Sequence, residues 1–306
     1  FLDDDRPFFR GIIRYTLPIF KINHKYLRVT QQADYLKIWA LETTQILFSQ
    51  AEKNTGRLLE KKLFKNSSSS FVAIGVSERN YYANKLLSEP DISHLQDIYT
   101  CMPEWNSYLN CCEELILRGE SVVRIGQFSN AALPATANPK IVDYANTTRT
   151  EFGDIWLLAN CKFVIAGGGT GIYWATATFG KPTVITDWYN LYKTTYCPQD
   201  LYIPQLAWSR SKKTLNSFEW IFEQGDGWGH KRSLIEGDIE IVKNTAEEIS
   251  EVALEMYQRL NGTWIETDED IELQRRFRKL RDVVPKNRVQ EGVRIGADFL
   301  RRYQHL

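Results

Sequence analysis

From Phe71 onward the chain alternates two kinds of hydrophobic pattern. Short runs are apolar almost throughout: FVAIGV from Phe71, SVVRIG from Ser121, KIVDYA from Lys140, KFVIAG from Lys162 and PTVITD from Pro182. Such runs suit strands buried on both faces, because successive side chains point to opposite sides of a sheet and here both sides are apolar. The segments between them carry helix signals. PEWNSYLNCCEELILRG has Pro103 suited to a first turn and Gly119 to a C-terminal stop. TEFGDIWLLANC begins on Thr150, a good N-cap residue, and GIYWATATFG follows the fourth apolar run. Strands alternating with helices at this spacing predict an α/β fold with a parallel sheet.

The flanks read differently. Residues 1 to about 40 suggest mixed loops and short elements, overlapping the start of QADYLKIWALETTQILFSQAEKNTGRLLEKKLF, which has helical spacing through Tyr35, Leu36, Trp39, Ala40, Thr43, Ile46 and Leu47. KNSSSS then reads as a hinge or surface loop. Beyond Asp187, WYNLYKTTYCPQDLYIPQLAW is dominated by aromatics and prolines and predicts ordered loops. NTAEEISEVALEMYQRL is the clearest helix: Asn244 or Thr245 caps it, Glu247 and Glu248 favour its positive end, and Ile249, Val252, Ala253 and Met256 share a face. DEDIELQRRFRKLRDVV and GVRIGADFLRRYQHL predict two more helices. No internal repeat is visible. The expected organisation is a mixed or helical region over 1–70, a Rossmann-like domain over 71–240, and helices over 241–306 that pack back on it.

Composition narrows the classes of function. The 306 residues carry 38 basic and 38 acidic side chains, a formal charge of zero, which argues against broad nucleic-acid binding. No apolar run approaches the ~18 residues of a membrane-spanning helix. Five cysteines at irregular spacing, two of them adjacent, make a poor disulfide framework or zinc site and point to a reducing compartment. Four scattered histidines give little support for a metal centre. Asp3 to Asp5 read as a solvated charge run rather than a metal motif. The first residues, FLDDDRPFFRGIIRY, carry neither an initiator Met nor a signal-peptide pattern, so the chain is expected to begin inside a longer protein or to have been trimmed.

The candidate chemistry centres on Gly167, Gly168, Gly169, Thr170 and Gly171, between the fourth apolar run and the helix after it. Glycines leave amides unscreened by side chains, and a helix start adds a positive dipole end, so phosphate is the natural guest. The P-loop pattern GxxxxGK[ST] is absent. The dinucleotide pattern GxGxxG fails too, since its third glycine falls on Ile172 or Trp174. Asp187, at the end of the next strand, does imitate the acid that binds a cofactor ribose, which keeps a dinucleotide oxidoreductase open. A glycine-rich turn that only lets a helix pack closely on the sheet is also open.

Several longer stretches carry a resemblance. YANTTRTEFGDIWLLANCKFVIAGGGTGIYWATATFGKPTVIT is similar to the C-terminal half of a bacterial glycosyltransferase family, whose members read VIDYA…SDFMDIFLCANCKFFIGTTSG before a KP strand. The likeness extends back through YLNCCEELILRGESVVRIG and NHKYLRVT, and forward through NTAEEISEVALEMYQRLNGTWIETDEDIELQRRF and RIGADFLRRYQHL. It is shared more distantly with fucosyltransferase-like enzymes. The resemblance implies a GT-B-like arrangement, in which a nucleotide-sugar donor (GDP-, UDP- or CMP-linked) lies against a Rossmann-like half. The acceptor would be a polysaccharide, lipid-linked glycan or glycoprotein, with no metal or other cofactor required.

The chain departs from that family at two landmarks. Where the family reads HVR or HVRE after the first strand of this half, Gly75 takes the His place and Ser77 the Arg place. Glu78 and Arg79 follow and become the catalytic candidates: Glu78 as base toward an acceptor hydroxyl, Arg79 as a phosphate fork. The family's YRN becomes YTCMPEW, without the arginine. Arg124 and Gln127 bracket the end of SVVRIG, where α/β sheets place ligands. Asp143 and Asp154 are weaker candidates, as are His94, His230 and the pair Tyr173 and Trp174. The missing His and Arg leave open a catalytically silent nucleotide- or sugar-binding module within a larger assembly. A cytoplasmic location is expected, with peripheral attachment to the inner membrane face open.

Overall fold

A computed structural model describes residues 47–65, 70–77, 103–126, 133, 138–168, 170–189, 191, 195, 197–225, 237–282 and 291–306. The core is a seven-stranded parallel sheet made of β1 (Phe71–Val76), β2 (Ser121–Ile125), β3 (Ile141–Asp143), β4 (Val164–Gly167), β5 (Thr183–Trp188), β6 (Leu201–Pro204) and β10 (Arg294–Ile295). Its strand order is β10-β6-β5-β4-β1-β2-β3. The chain winds outward from β1 to β3, returns to place β4 on the other side of β1, and winds outward again. This is the doubly wound, Rossmann-like α/β architecture. The five apolar runs of the sequence are β1 to β5, and their residues Val72, Ile74, Val122, Val164, Ile165 and Val184 are wholly buried.

Register assigns the faces. Gly75 pairs with Ala166, and Val76 pairs with Gly167, which pairs in turn with Thr186. Because side chains alternate, Gly75 and Ala166 point to one face of the sheet, and Val76, Gly167 and Thr186 point to the other. The first face receives α5 (Ile172–Thr178), which packs on α4 (Glu151–Asn160), and α4 carries α1 (Gln50–Phe64). The second face receives a 3-10 turn (Trp105–Tyr108), α2 (Leu109–Leu117) and α7 (Ala246–Leu260). A short α3 (Tyr144–Thr147) follows β3 directly.

Caps lie where the local sequence places them. Thr150 accepts a hydrogen bond from the Gly153 amide, and Thr245 forms a capping box with Glu248. Of the two cap candidates for α7, Thr245 caps, and Asn244 is released for another task. Gly119 stops the α2 segment at φ +89, a conformation that favours glycine. Ser49 forms a capping box with Glu52, so helix α1 starts at Gln50 rather than running unbroken from further upstream. The earlier part of that expected helix and the KNSSSS serines 67–69 lie outside the described residues.

The structure adds strands where the sequence pattern suggested loops or helix. Within the aromatic stretch beyond Asp187, β6 and β7 (Leu206–Ser209) are separated by Gln205 alone. β7 lies between β8 (Thr214–Leu215) and β9 (Ile239–Val242) in a small antiparallel sheet. In the last segment, Arg294 and Ile295 pair in parallel with Leu201 and Tyr202 before α9 (Ala297–Arg302) begins. The region after residue 241 is therefore part of the central sheet as well as its cover. α8 (Asp268–Arg281) packs on α9 and on α6 (Phe218–Gln224), through an aromatic cluster of Phe218, Phe222, Phe277 and Phe299. No helix among the described residues is long and apolar enough to cross a membrane. Cys111, Cys112, Cys161 and Cys197 are buried and unbridged.

Candidate functional site

In an open α/β sheet the ligand crevice lies beyond the carboxyl ends of the strands where the winding reverses. Here that place is between β1 and β4. The two strand tips are joined by the Ser77 amide, which donates to the Gly167 carbonyl at 3.0 Å. The glycine turn leaves β4 at this point, so fold and sequence direct attention to the same few residues.

Both faces of the sheet are tightly filled beneath the turn. A Cβ built on Gly167 would lie 2.0 Å from the Tyr108 hydroxyl and 2.8 Å from its Cζ. Tyr108 is wholly buried, and its hydroxyl shares a 2.7 Å hydrogen bond with Thr186 Oγ1. Burial, then the nearby Asp187 carboxyl, hold the phenol well above its usual range, so it stays protonated. On the other face, a Cβ on Gly75 would lie 2.1 Å from Ile172 Cδ1. The place that the resembling family gives to histidine is thus occupied by a side chain of α5.

The turn itself is only partly available to a guest. Gly168, at φ +66, donates its amide to the Thr186 carbonyl at 3.3 Å. Of the amides expected to face a ligand, this one is spent on the sheet. Gly169 lies outside the described residues. Thr170 is half-buried, and Gly171 is exposed, with nothing within 4 Å of a Cβ built on it. Gly171, which has no side chain to cap with, starts α5.

The other candidates are distributed as follows. Glu78, Arg79, Gln127, His94 and His230 lie outside the described residues, as does the side chain of Trp174. Arg124 is 2 % exposed; its guanidinium sits 3.5 Å from Asp143 Oδ2 and 4.7 Å from the centre of the Trp105 ring. The cation is held by these neighbours and is almost wholly buried. Asp143 also accepts from Asn146 Nδ2 at 3.0 Å. Asp154 pairs with Arg149 at 2.7 Å in the first turn of α4. Burial raises its carboxyl to about 6 against the lowering pull of that arginine. Tyr173 packs edge-on to Trp188 at 5.5 Å and is half-buried.

Asp187 turns toward the start of α7. At φ +52 it takes a left-handed conformation, beside an irregular register between β5 and β6. An irregularity of this kind re-aims a side chain, and here it directs the carboxyl to the start of α7. The Asn244 amide donates to Asp187 Oδ1 at 2.9 Å, the Asp187 amide donates to Asn244 Oδ1 at 2.5 Å, and Asn244 Nδ2 donates to the Pro204 carbonyl at 2.9 Å. Asp187 is wholly buried, and burial pushes its carboxyl up to about 7. Tyr108, Thr186 and Asn244, the side chains that shape this end of the sheet, had no motif to mark them. The available signal was indirect: a strand ending in Thr-Asp, and an Asn directly before a capping Thr. No family model matches the chain, and no curated protein or solved structure matches it.

Proposed function

We propose that the chain is a GT-B-like glycosyltransferase that takes a nucleotide-sugar donor at the carboxyl edge of its sheet and passes the sugar to an acceptor hydroxyl on a glycan, lipid-linked glycan or glycoprotein. The observation that carries this reading is the position of the glycine turn at the winding reversal between β1 and β4. Thr170 and the start of α5 would offer polar donors there to a diphosphate. The acceptor oxygen would attack the anomeric carbon as the bond to the diphosphate breaks, with Glu78 taking the hydroxyl proton and Arg79 steadying the leaving group. A catalytically silent nucleotide- or sugar-binding module is the second reading. Two observations favour it: Ile172 fills the space above Gly75, and Arg124 is enclosed by Asp143 and Trp105.

Calorimetric titration with GDP, UDP, CMP and NAD, on the native chain and on Gly171→Asp, tests the proposal. Gly171 has an ordinary helical φ of −65 and open space at Cβ, so aspartate fits there, and its charge suits the positive end of α5. Its charge opposes a phosphate about 4 Å away by about 4 kcal/mol at an effective dielectric of ~20. After screening, affinity should fall about a hundredfold while the melting temperature holds or rises. Failure of every nucleotide to bind the native chain, or unchanged affinity in the variant, would remove the site. Nucleotide binding without sugar transfer across a broad acceptor panel would select the silent module, and binding of NAD alone would restore the oxidoreductase.

A further inference from the structure

The end of β5 holds a carboxyl group that the transferase reading does not use. Asp187 is wholly buried and left-handed, and its two oxygens are treated unequally. Oδ1 accepts the Asn244 amide at 2.9 Å, whereas Oδ2 is buried and accepts no hydrogen bond among the described residues. An ionised carboxylate spreads its charge over both oxygens, and leaving one of them dry and undonated is costly. A neutral carboxyl avoids that cost. The reciprocal bond between the Asp187 amide and Asn244 Oδ1 involves no titrating group.

The charged and titratable groups around Asp187 come from each element packed on it. Lys243, in the segment before α7, favours the anion, and Glu248, in the first turn of α7, disfavours it. The neutral Tyr108 phenol approaches from the 3-10 turn, and the uncharged Gln205 side chain, from between β6 and β7, favours the anion. Burial outweighs these influences and places the titration near neutrality, at about 7.

We propose that Asp187 is a protonation-dependent latch beneath the glycine turn: with its proton on, the end of β5 stays buried against the start of α7, and with the proton lost to water the two part more often. The latch reaches the turn through β5, because Thr186 binds both the Tyr108 hydroxyl and the Gly168 amide. Rising pH therefore loosens the floor of the turn. This inference is independent of which ligand, if any, the turn takes.

The Asp187 and Asn244 amides are the reporters, since both lie inside the latch. Native-state hydrogen exchange of these amides, corrected for intrinsic rates, should be followed from pH 5 to pH 8 in the native chain and in Asp187→Asn. One proton released per opening makes the opening constant rise about tenfold per pH unit up to the folded-state titration, then level off. The native chain should show this rise, levelling near pH 7, and the variant should show none. A pH-independent opening in the native chain, or the same rise in the variant, overturns the latch. Should the variant fail to fold, carboxyl carbon-13 NMR of the native chain decides: an assigned Asp187 side-chain resonance that titrates near neutrality supports the latch, and one already ionised at pH 5 refutes it.

Discussion

The contact between Gly167 and Tyr108 makes a quantitative prediction about the candidate site. Gly167 does not have a left-handed φ, so alanine is acceptable to its backbone, and any penalty is steric. The new methyl would meet the Tyr108 hydroxyl at 2.0 Å, its Cζ at 2.8 Å and Val76 Cγ1 at 3.3 Å. Overpacking of this kind costs about 1–3 kcal/mol, and pushing the ring aside also breaks the Tyr108–Thr186 bond, worth about 1 kcal/mol. Gly167→Ala should therefore cost about 2–4 kcal/mol. Tyr108→Phe removes the same hydrogen bond and leaves Thr186 Oγ1 buried without it, for about 1–2 kcal/mol. The two changes are not independent, because the phenylalanine lacks the atom that the methyl strikes first. The double variant should be more stable than the sum of the single effects by at least about 1 kcal/mol. Urea unfolding of the four proteins, followed by tryptophan fluorescence, measures the cycle. Additivity to within about 0.5 kcal/mol would mean that Tyr108 does not rest on Gly167, and the described floor of the turn would be wrong.

Further expectations follow from other contacts. Gly75→His should fold poorly because Ile172 occupies the space, and Ile172→Ala in the same chain should recover part of the loss in thermal melting. Arg124→Met should cost about 3 kcal/mol, since it strands Asp143, and Asp143→Asn in that background should restore stability; no recovery would show that the pair is not coupled. Thr245→Ala removes half of a capping box and should lower stability by about 1 kcal/mol by urea titration, with no change in any nucleotide affinity.

The first five strands were legible because four of them are short, mostly apolar runs that are almost wholly buried, and the fifth, the half-buried edge strand β3, follows at the same spacing between helix signals. β6 was not, because the runs of tyrosine, proline and leucine around it fit an ordered loop equally well, and it becomes a strand through pairing with β5 and β10. β10 is two residues long, too short for any periodicity, and its partner lies far back in the chain. At the site, the glycine turn was visible as composition. Its environment was not: that Tyr108 rests on Gly167 depends on a helix and a strand some sixty residues apart. Asp187 was noticed as an acid in a suggestive place, but nothing in its identity announces a left-handed φ, and that angle turns its carboxyl to Asn244. The neighbours of Arg124 are hidden in the sequence for a related reason, since Trp105 and Asp143 meet it only in the folded chain.

The late arrival of β10 bears on how the chain is made. Until Arg294 and Ile295 leave the ribosome, Leu201 and Tyr202 keep one row of backbone donors and acceptors unpaired on an apolar rim. Such a rim is a template for adhesion between nascent chains. Variants shortened before residue 294 should therefore accumulate as aggregates rather than as a smaller soluble fold.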